Sequence, residues 1–227
     1  MSSAKETKEL ILDTAERLFS EKGVDGVSLR SLTAAAGVNI AAAHYHFGSK
    51  EEVAKAVFAR RIRPVNRERI QLLDSYQESG QPSVEELLTA LFAPALRLAR
   101  EPQRGYDFMR LCARFYSEPA EYLESTFREE FSQVLSRFHE AFQRALPELA
   151  DEEVGLRMHF AIGVMVHTLL NPTRTCLPKL APKASDSDKA TLDAMVRFVA
   201  AGMRSARAAQ FPAGAVAEFH SHAEVAQ

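Results

Sequence analysis

Apolar residues recur at helical spacing along almost the whole chain, and no run alternates β-branched and polar residues as a half-buried strand would. That periodicity restricts the fold to the all-α class. Leu10, Ile11, Thr14, Ala15, Leu18 and Phe19 predict a first helix near 6–22, which Gly23 stops. A short second helix begins at Ser28, carries Leu29, Leu32, Ala35 and Ala36, and ends at Gly37, a residue suited to the left-handed turn conformation. Asn39 caps a third helix that ends near Phe47 and Gly48. Ser49 followed by Glu52 forms a capping box for a long fourth helix, which Pro64 should kink or break. Residues 77–82 read as a linker, and Ser83 with Glu86 forms a second capping box before a helix containing Pro94. Further helices are expected at about 104–117, 120–146, 151–170 and 188–208. Pro172, Pro178 and Pro182 mark 171–187 as a loop, and 209–227 lacks a period, as a loose tail does.

With 227 residues, 46% of them apolar, the chain can bury a sizeable core. Cys112 and Cys176 have no CxxC partner, so neither a disulfide framework nor a structural zinc site is indicated, and no cofactor is called for. Residues 1–20 carry Lys5, Glu6, Lys8, Glu9, Asp13, Glu16 and Arg17, which leaves no apolar core for a signal peptide, and the expected location is the cytoplasm. The charge-free stretches 31–49 and 158–173 are respectively too polar and too short to span a bilayer. The net charge of −2 argues against a general polyanion binder, but it is unevenly placed. Residues 1–70 hold 12 Lys and Arg against 9 Asp and Glu, while the remainder holds 16 against 21. A mildly basic head on an acidic body is compatible with a nucleic-acid-binding module joined to something else.

Three helices within 6–47, with a tight turn between the second and third, have the layout of a helix-turn-helix. At 100° per residue, Ala43 and Phe47 point together toward the first two helices, while Ala41, His44 and Tyr45 face away. The run Ser28-Leu29-Arg30-Ser31-Leu32, the turn Ala36-Gly37-Val38-Asn39 and the segment His44-Tyr45-His46-Phe47-Gly48-Ser49-Lys50-Glu51-Glu52 together resemble the DNA-binding region of the tetracycline-repressor (TetR) family, over about residues 6–60. The resemblance implies a DNA-binding domain at 1–48, a helical linker, ligand-binding and dimerisation domain at 49–208, and a tail at 209–227. It also implies that Tyr45 and His46 donate to phosphates and that Lys50 adds charge at the start of the fourth helix. Ser28 and Asn39 are implied DNA-binding residues as well, Arg30 is placed for a base edge or a groove-lining phosphate, and Ala41, Ala42 and His44 fall where the family reads base edges.

Two departures from the family pattern matter. Ala41-Ala42-Ala43 stands where Thr or Gly is common, and His44 stands where a first Tyr often sits, so readout must rest on methyl contacts, His44 and DNA shape. His44 and His46 as a metal pair is disfavoured, because i, i+2 places them about 200° apart on a helix.

In the body, Phe127, Phe131, Val134, Leu135, Phe138 and Phe142 share one helical face, and Phe108, Leu111, Cys112 and Phe115 share another. Such faces build a core or wall a cavity. The resemblance implies a small, apolar effector lined by Phe108, Met109, Cys112, Phe115 and Phe131, with Arg110, Arg114, His159 and His167 available for a polar head. The body is also similar, more distantly, to fatty-acid-responsive regulators of the PsrA type, on the Phe108-Met109-Arg110-Leu111 and Ala200-Ala201-Gly202-Met203-Arg204 runs. The stripe Leu192, Met195, Val196, Val199 and Met203 suits a helix–helix seam, either across a homodimer or within one subunit. The implied function is a homodimeric, ligand-responsive repressor of a palindromic double-stranded DNA operator. Its rivals are an interaction or scaffold protein with a disused DNA-binding head, and a small-molecule enzyme, for which the chain holds no GxSxG, HExxH, P-loop or dinucleotide fingerprint.

Overall fold

The computed structural model of the chain describes residues 2–102, 104–117, 121–170 and 188–206. The loop expected at 171–187 and the tail expected at 209–227 lie outside the described residues. Among the described residues there are nine α-helices and no strand: α1 (Ser2–Lys22), α2 (Leu29–Ala36), α3 (Ile40–Phe47), α4 (Lys50–Glu78), α5 (Val84–Ala99), α6 (Arg104–Ser117), α7 (Glu121–Ala145), α8 (Asp151–Leu170) and α9 (Asp188–Met203). None of these helices is long and apolar enough to cross a membrane.

The head forms because three helix ends are set locally. Ser28 and Ser31 cap each other, each hydroxyl accepting from the other's backbone N–H at 3.0 Å, a reciprocal box built with serine where glutamate is usual. Gly37 closes α2 with φ at 67°, a conformation that strains any residue bearing a Cβ. Asn39 then opens α3 by accepting from the Ala41 N–H at 2.9 Å. Ile11, Ala15 and Phe19 of α1 meet Leu32, Ala43 and the first turns of α4 in a buried core.

Only half of the box expected at Ser49 forms. The Ser49 hydroxyl accepts from the Glu52 N–H at 3.2 Å, but the Glu52 carboxylate pairs with Lys55 at 2.8 Å. The Ser49 N–H donates to the Phe47 carbonyl at 3.0 Å, and the carboxyl of neighbouring Glu51 is held below the ordinary range by its own backbone N–H and then by the Ser49 hydroxyl. Pro64 does not break α4, which runs unbroken over its 29 residues. Pro64 lies on the exposed side, where water can serve the carbonyl it leaves unpaired, and buried Ile62, Val65 and Asn66 hold the flanking turns.

The body is organised around α5, which is buried on nearly every side and packs against α4, α7 and α9. The stripe on α9 belongs to this contact. Met195, Val196, Val199 and Met203 are buried within their own chain, so the seam that the periodicity left open is an internal one. The Arg157 guanidinium closes the end of α9 by donating to the carbonyls of Met203 at 2.7 Å and Ser205 at 2.8 Å. Head and body join through Glu16, a buried carboxylate on α1. It accepts from Arg60 Nη2 at 2.7 Å, Arg61 Nε at 2.9 Å and Arg61 Nη2 at 2.7 Å, all from α4.

Two stability predictions follow the polar anchors. Glu16→Gln removes the buried carboxylate that Arg60 and Arg61 share, leaving them only the more exposed carboxylates of Glu9, Asp13 and Glu101, and should destabilise the fold by about 2 kcal/mol in urea unfolding. Ser83→Ala removes a complete box in which Glu86 accepts from the Ser83 N–H at 2.8 Å, and should cost about 1 kcal/mol. The backbone N–H and hydroxyl of Ser83 hold the Glu86 carboxyl low, so that part of the stabilisation is present above the ordinary glutamate range and is lost as pH falls. The gap between wild type and Ser83→Ala should therefore narrow in acid.

Candidate nucleic-acid interface and inner cavity

α3 presents two unlike faces. Ala43 is fully buried and Phe47 packs against the head core, whereas Ala41 and His44 are exposed and Tyr45 is 84% exposed. Ala42 is half-buried between the two faces, and Arg30 stands exposed on α2. Ser28 and Asn39 lie at the same end of the molecule, but both spend their side chains starting helices. His44 Nδ1 lies 2.9 Å from the Gly48 carbonyl. A carbonyl only accepts, so Nδ1 carries the proton and Nε2 of the neutral ring is an acceptor.

His46 and Lys50 are less free than their neighbours. His46 is half-buried, with edge contacts to the rings of Tyr45 at 5.2 Å and Phe47 at 6.2 Å, and it lines a charged crevice together with Lys8, Glu9, Lys55 and Arg60. The Lys50 side chain is 20% exposed, and its Nζ lies 3.7 Å from the fully exposed carboxylate of Asp25. A phosphate meeting Lys50 must displace or share that carboxylate. Among the described residues no group of three His, Cys, Asp or Glu side chains could hold a metal ion.

The body holds a partly open cavity of about 550 Å³. α4 contributes Phe58, Ile62, Val65 and Arg69 to its wall; α6 contributes Phe108, Met109, Cys112 and Phe115; α7 contributes Phe127 and Phe131. α5 and α8 complete it with Leu91, Ala95, Ile162 and Met165. Phe58 sits at the centre of an aromatic cluster, its ring centroid 4.4 Å from Phe127, 6.0 Å from Phe108, 6.3 Å from Phe131 and 6.4 Å from Phe115. Phe138 and Phe142, expected on the same stripe as Phe131, are fully buried and do not line the cavity. Burial, and to a smaller degree the charge of Glu16, pushes the Cys112 thiol well above its ordinary pKa, so it is a protonated part of the wall.

The polar residues expected at a ligand head lie elsewhere. Arg110 is exposed on the outer side of α6, and His159 and His167 are exposed on α8, so none of the three lines the cavity. Arg114 donates to the carbonyls of Ser20 and Glu21, closing the end of α1. Arg69 is a buried cation in the cavity wall, and sequence reasoning missed it. Its signal was legible: Phe58, Ile62, Val65 and Arg69 stand at i, i+4, i+7 and i+11, which puts a cation on an apolar stripe. It was hidden in a run of seemingly solvated arginines.

Two stretches of the chain match models of known families. Residues 11–57 match the family model described as "Bacterial regulatory proteins, tetR family", and residues 89–202 match "Tetracyclin repressor-like, C-terminal domain". The HTH-type transcriptional regulator SrpR of Pseudomonas putida is 32% identical over 163 residues, covering 72% of this chain and 71% of that protein. TtgW, another HTH-type transcriptional regulator of Pseudomonas putida, is 39% identical over 64 residues, 28% of this chain and about half (48%) of that relative's length. A solved tetR-family regulator from Shewanella sp. PV-4 has the same fold at a TM-score of 0.61 and 18% identity, covering 84% of this chain and 95% of that one. On the carboxyl-terminal match over half of its length and the relative that parallels most of it, the chain belongs to the TetR family of DNA-binding transcriptional regulators.

Proposed function

We propose that this regulator is a homodimeric repressor, that its two α3 helices enter successive major grooves of a palindromic operator about 34 Å apart, and that a hydrophobic, acyl-type inducer in the cavity releases it. One observation carries the reading: a single helix, α4, belongs to both sites. Val53, Ala54 and Val57 lie in the core that holds α3, and Phe58, Ile62, Val65 and Arg69 wall the cavity. A ligand that shifts the cavity end of α4 moves the DNA head with it. The cavity-wall helix α6 supplies a second tie, through the Arg114 contacts to the end of α1. Coupling on the order of 1–3 kcal/mol suffices for induction. On this reading residues 1–48 work as the DNA-binding unit and 49–208 as the unit that senses and dimerises.

Exposure supports a division of labour on DNA. Tyr45 donates to a phosphate, Lys50 exchanges Asp25 for another, and His46 adds a contact where the charged crevice opens. Ala41, Ala42 and His44 meet base edges, Arg30 meets an edge or a groove-lining phosphate, and Ser28 and Asn39 position the two helices that carry them. Exposed apolar residues support the dimer. Phe160 on α8 is 60% exposed and Phe198 on α9 is 72% exposed, with Leu156 half-exposed near by in sequence and small Ala194, Ala201 and Gly202 on the solvent side of α9. Rings this open on adjacent helices suit a four-helix seam between two copies.

Two experiments test the halves separately. Tyr45→Phe combined with Lys50→Ala should weaken binding to an operator selected from random duplexes by about tenfold or more and reduce the salt slope by about one phosphate or more; unchanged binding rejects these contacts. Phe160→Glu with Phe198→Glu should give a monomer in light scattering and lose cooperative operator binding. A dimer that survives both charges has its seam elsewhere.

A further inference from the structure

The cavity wall is apolar except for Arg69, Arg128 and Ser132, and Arg128 is exposed. Arg69 is only 3% exposed. Among the described residues the other well-buried arginines have carboxylates: Arg157 pairs with Glu153 at 2.9 Å and Arg61 with Glu16 at 2.7 Å. No described carboxylate lies within ion-pair distance of Arg69. Its hydrogen bonds go to neutral groups, from Nε to the Leu91 carbonyl at 2.9 Å, from Nη1 to Asn66 Oδ1 at 2.9 Å and from Nη2 to Met165 Sδ at 3.6 Å. A guanidinium has five N–H donors, so these three bonds leave one on each terminal nitrogen. Burial lowers its pKa to about 10, and it therefore remains a cation at neutral pH. A buried, hydrogen-bonded charge without a counter-ion is costly in an apolar wall where methionine or leucine would pack.

We propose that Arg69 is the anchor for the head of an amphipathic monoanion, a single carboxylate on an apolar body, whose body lies against the Phe58 cluster. The idea rests on the cavity being the effector site proposed above. The cavity and the cation each narrow the ligand. A small inorganic anion would satisfy Arg69 and leave the aromatic wall unfilled, whereas a neutral hydrocarbon would fill the wall and leave the cation unpaired. One guanidinium balances one negative charge, and two N–H groups match the two oxygens of a planar carboxylate. The anchor is also mechanically placed. Arg69 and Asn66 lie one turn apart on α4, and Asn66 donates to the Glu130 carbonyl of α7 at 2.6 Å, so an anion at Arg69 bears on α4, α5, α7 and α8 together.

The test uses the full-length chain and calorimetric titration with decanoate, decanol, decyltrimethylammonium and inorganic phosphate. The wild type should bind decanoate about tenfold or more tightly than decanol, with no measurable binding of the cation or of phosphate. Arg69→Met should abolish that preference by weakening decanoate while leaving decanol little changed, and Arg128→Met should retain it. Equal or stronger binding of decanol by the wild type overturns the proposal, as does an anion preference that survives Arg69→Met or disappears in Arg128→Met. The wild-type series decides the matter even if Arg69→Met fails to fold. Operator occupancy is followed in the same titrations. Anion-selective binding that leaves the operator occupied would reject the inducer reading and keep the anchor, whereas failure of every amphiphile to bind overturns the anchor and leaves DNA recognition untouched.

Discussion

The molecule depends on α4 being one stiff rod shared by two packed regions. Lys50 at its first turn stands beside α3, and Arg69, further along, stands in the cavity wall, roughly 28 Å away at 1.5 Å per residue. A helix packed at both ends cannot change one set of neighbours without disturbing the other, since close-packed interiors transmit displacement and do not absorb it. Glu16 strengthens the constraint. By accepting from Arg60 and Arg61 it pins the middle of α4 to α1, and Arg60 also reaches Glu9 and Asp13. Burial works against the charge on Arg60, but those carboxylates outweigh it and raise its pKa.

Buried charge is handled in two ways in this chain. At the head–body junction and at the end of α9, arginines are matched with carboxylates or with the unpaired carbonyls of a helix terminus. These contacts fix one arrangement of helices. Among the described residues Arg69 has neutral partners alone, and it faces open space. The same side-chain type thus closes the structure in one place and leaves a chemical demand in another, and burial with partner identity separates the roles.

The surface divides similarly. Tyr45 and Phe198 are both large exposed rings, but they differ in what lies around them. Tyr45 stands among alanines and histidines on a short helix that lacks acidic residues, which suits the polyanion contact proposed for it. Phe198 stands among small residues on a helix whose other side is buried against α5, and this open apolar face is the one proposed to meet a second copy.

Much of the fold was legible because helix boundaries are local events. Gly37, Asn39, Ser49 and Ser83 each end or begin a helix through atoms within a few residues, so the chain's order of elements follows from short-range chemistry. The inward position of Ala43 and the outward position of Tyr45 likewise follow from a 100° step. Contacts between distant residues were not legible. Periodicity places Met195, Val196, Val199 and Met203 on one stripe, yet only packing assigns that stripe to α5 of the same chain. Nor does spacing distinguish Arg69 from Arg110, since a helix shows its charged positions without showing which neighbour covers them. Helical order and the two faces of α3 are therefore properties of the string of residues. The inner seam, the engaged state of Lys50 and the uncompensated cation in the cavity arise only when helices far apart in sequence are brought within a few ångströms, where burial and charge take their effect.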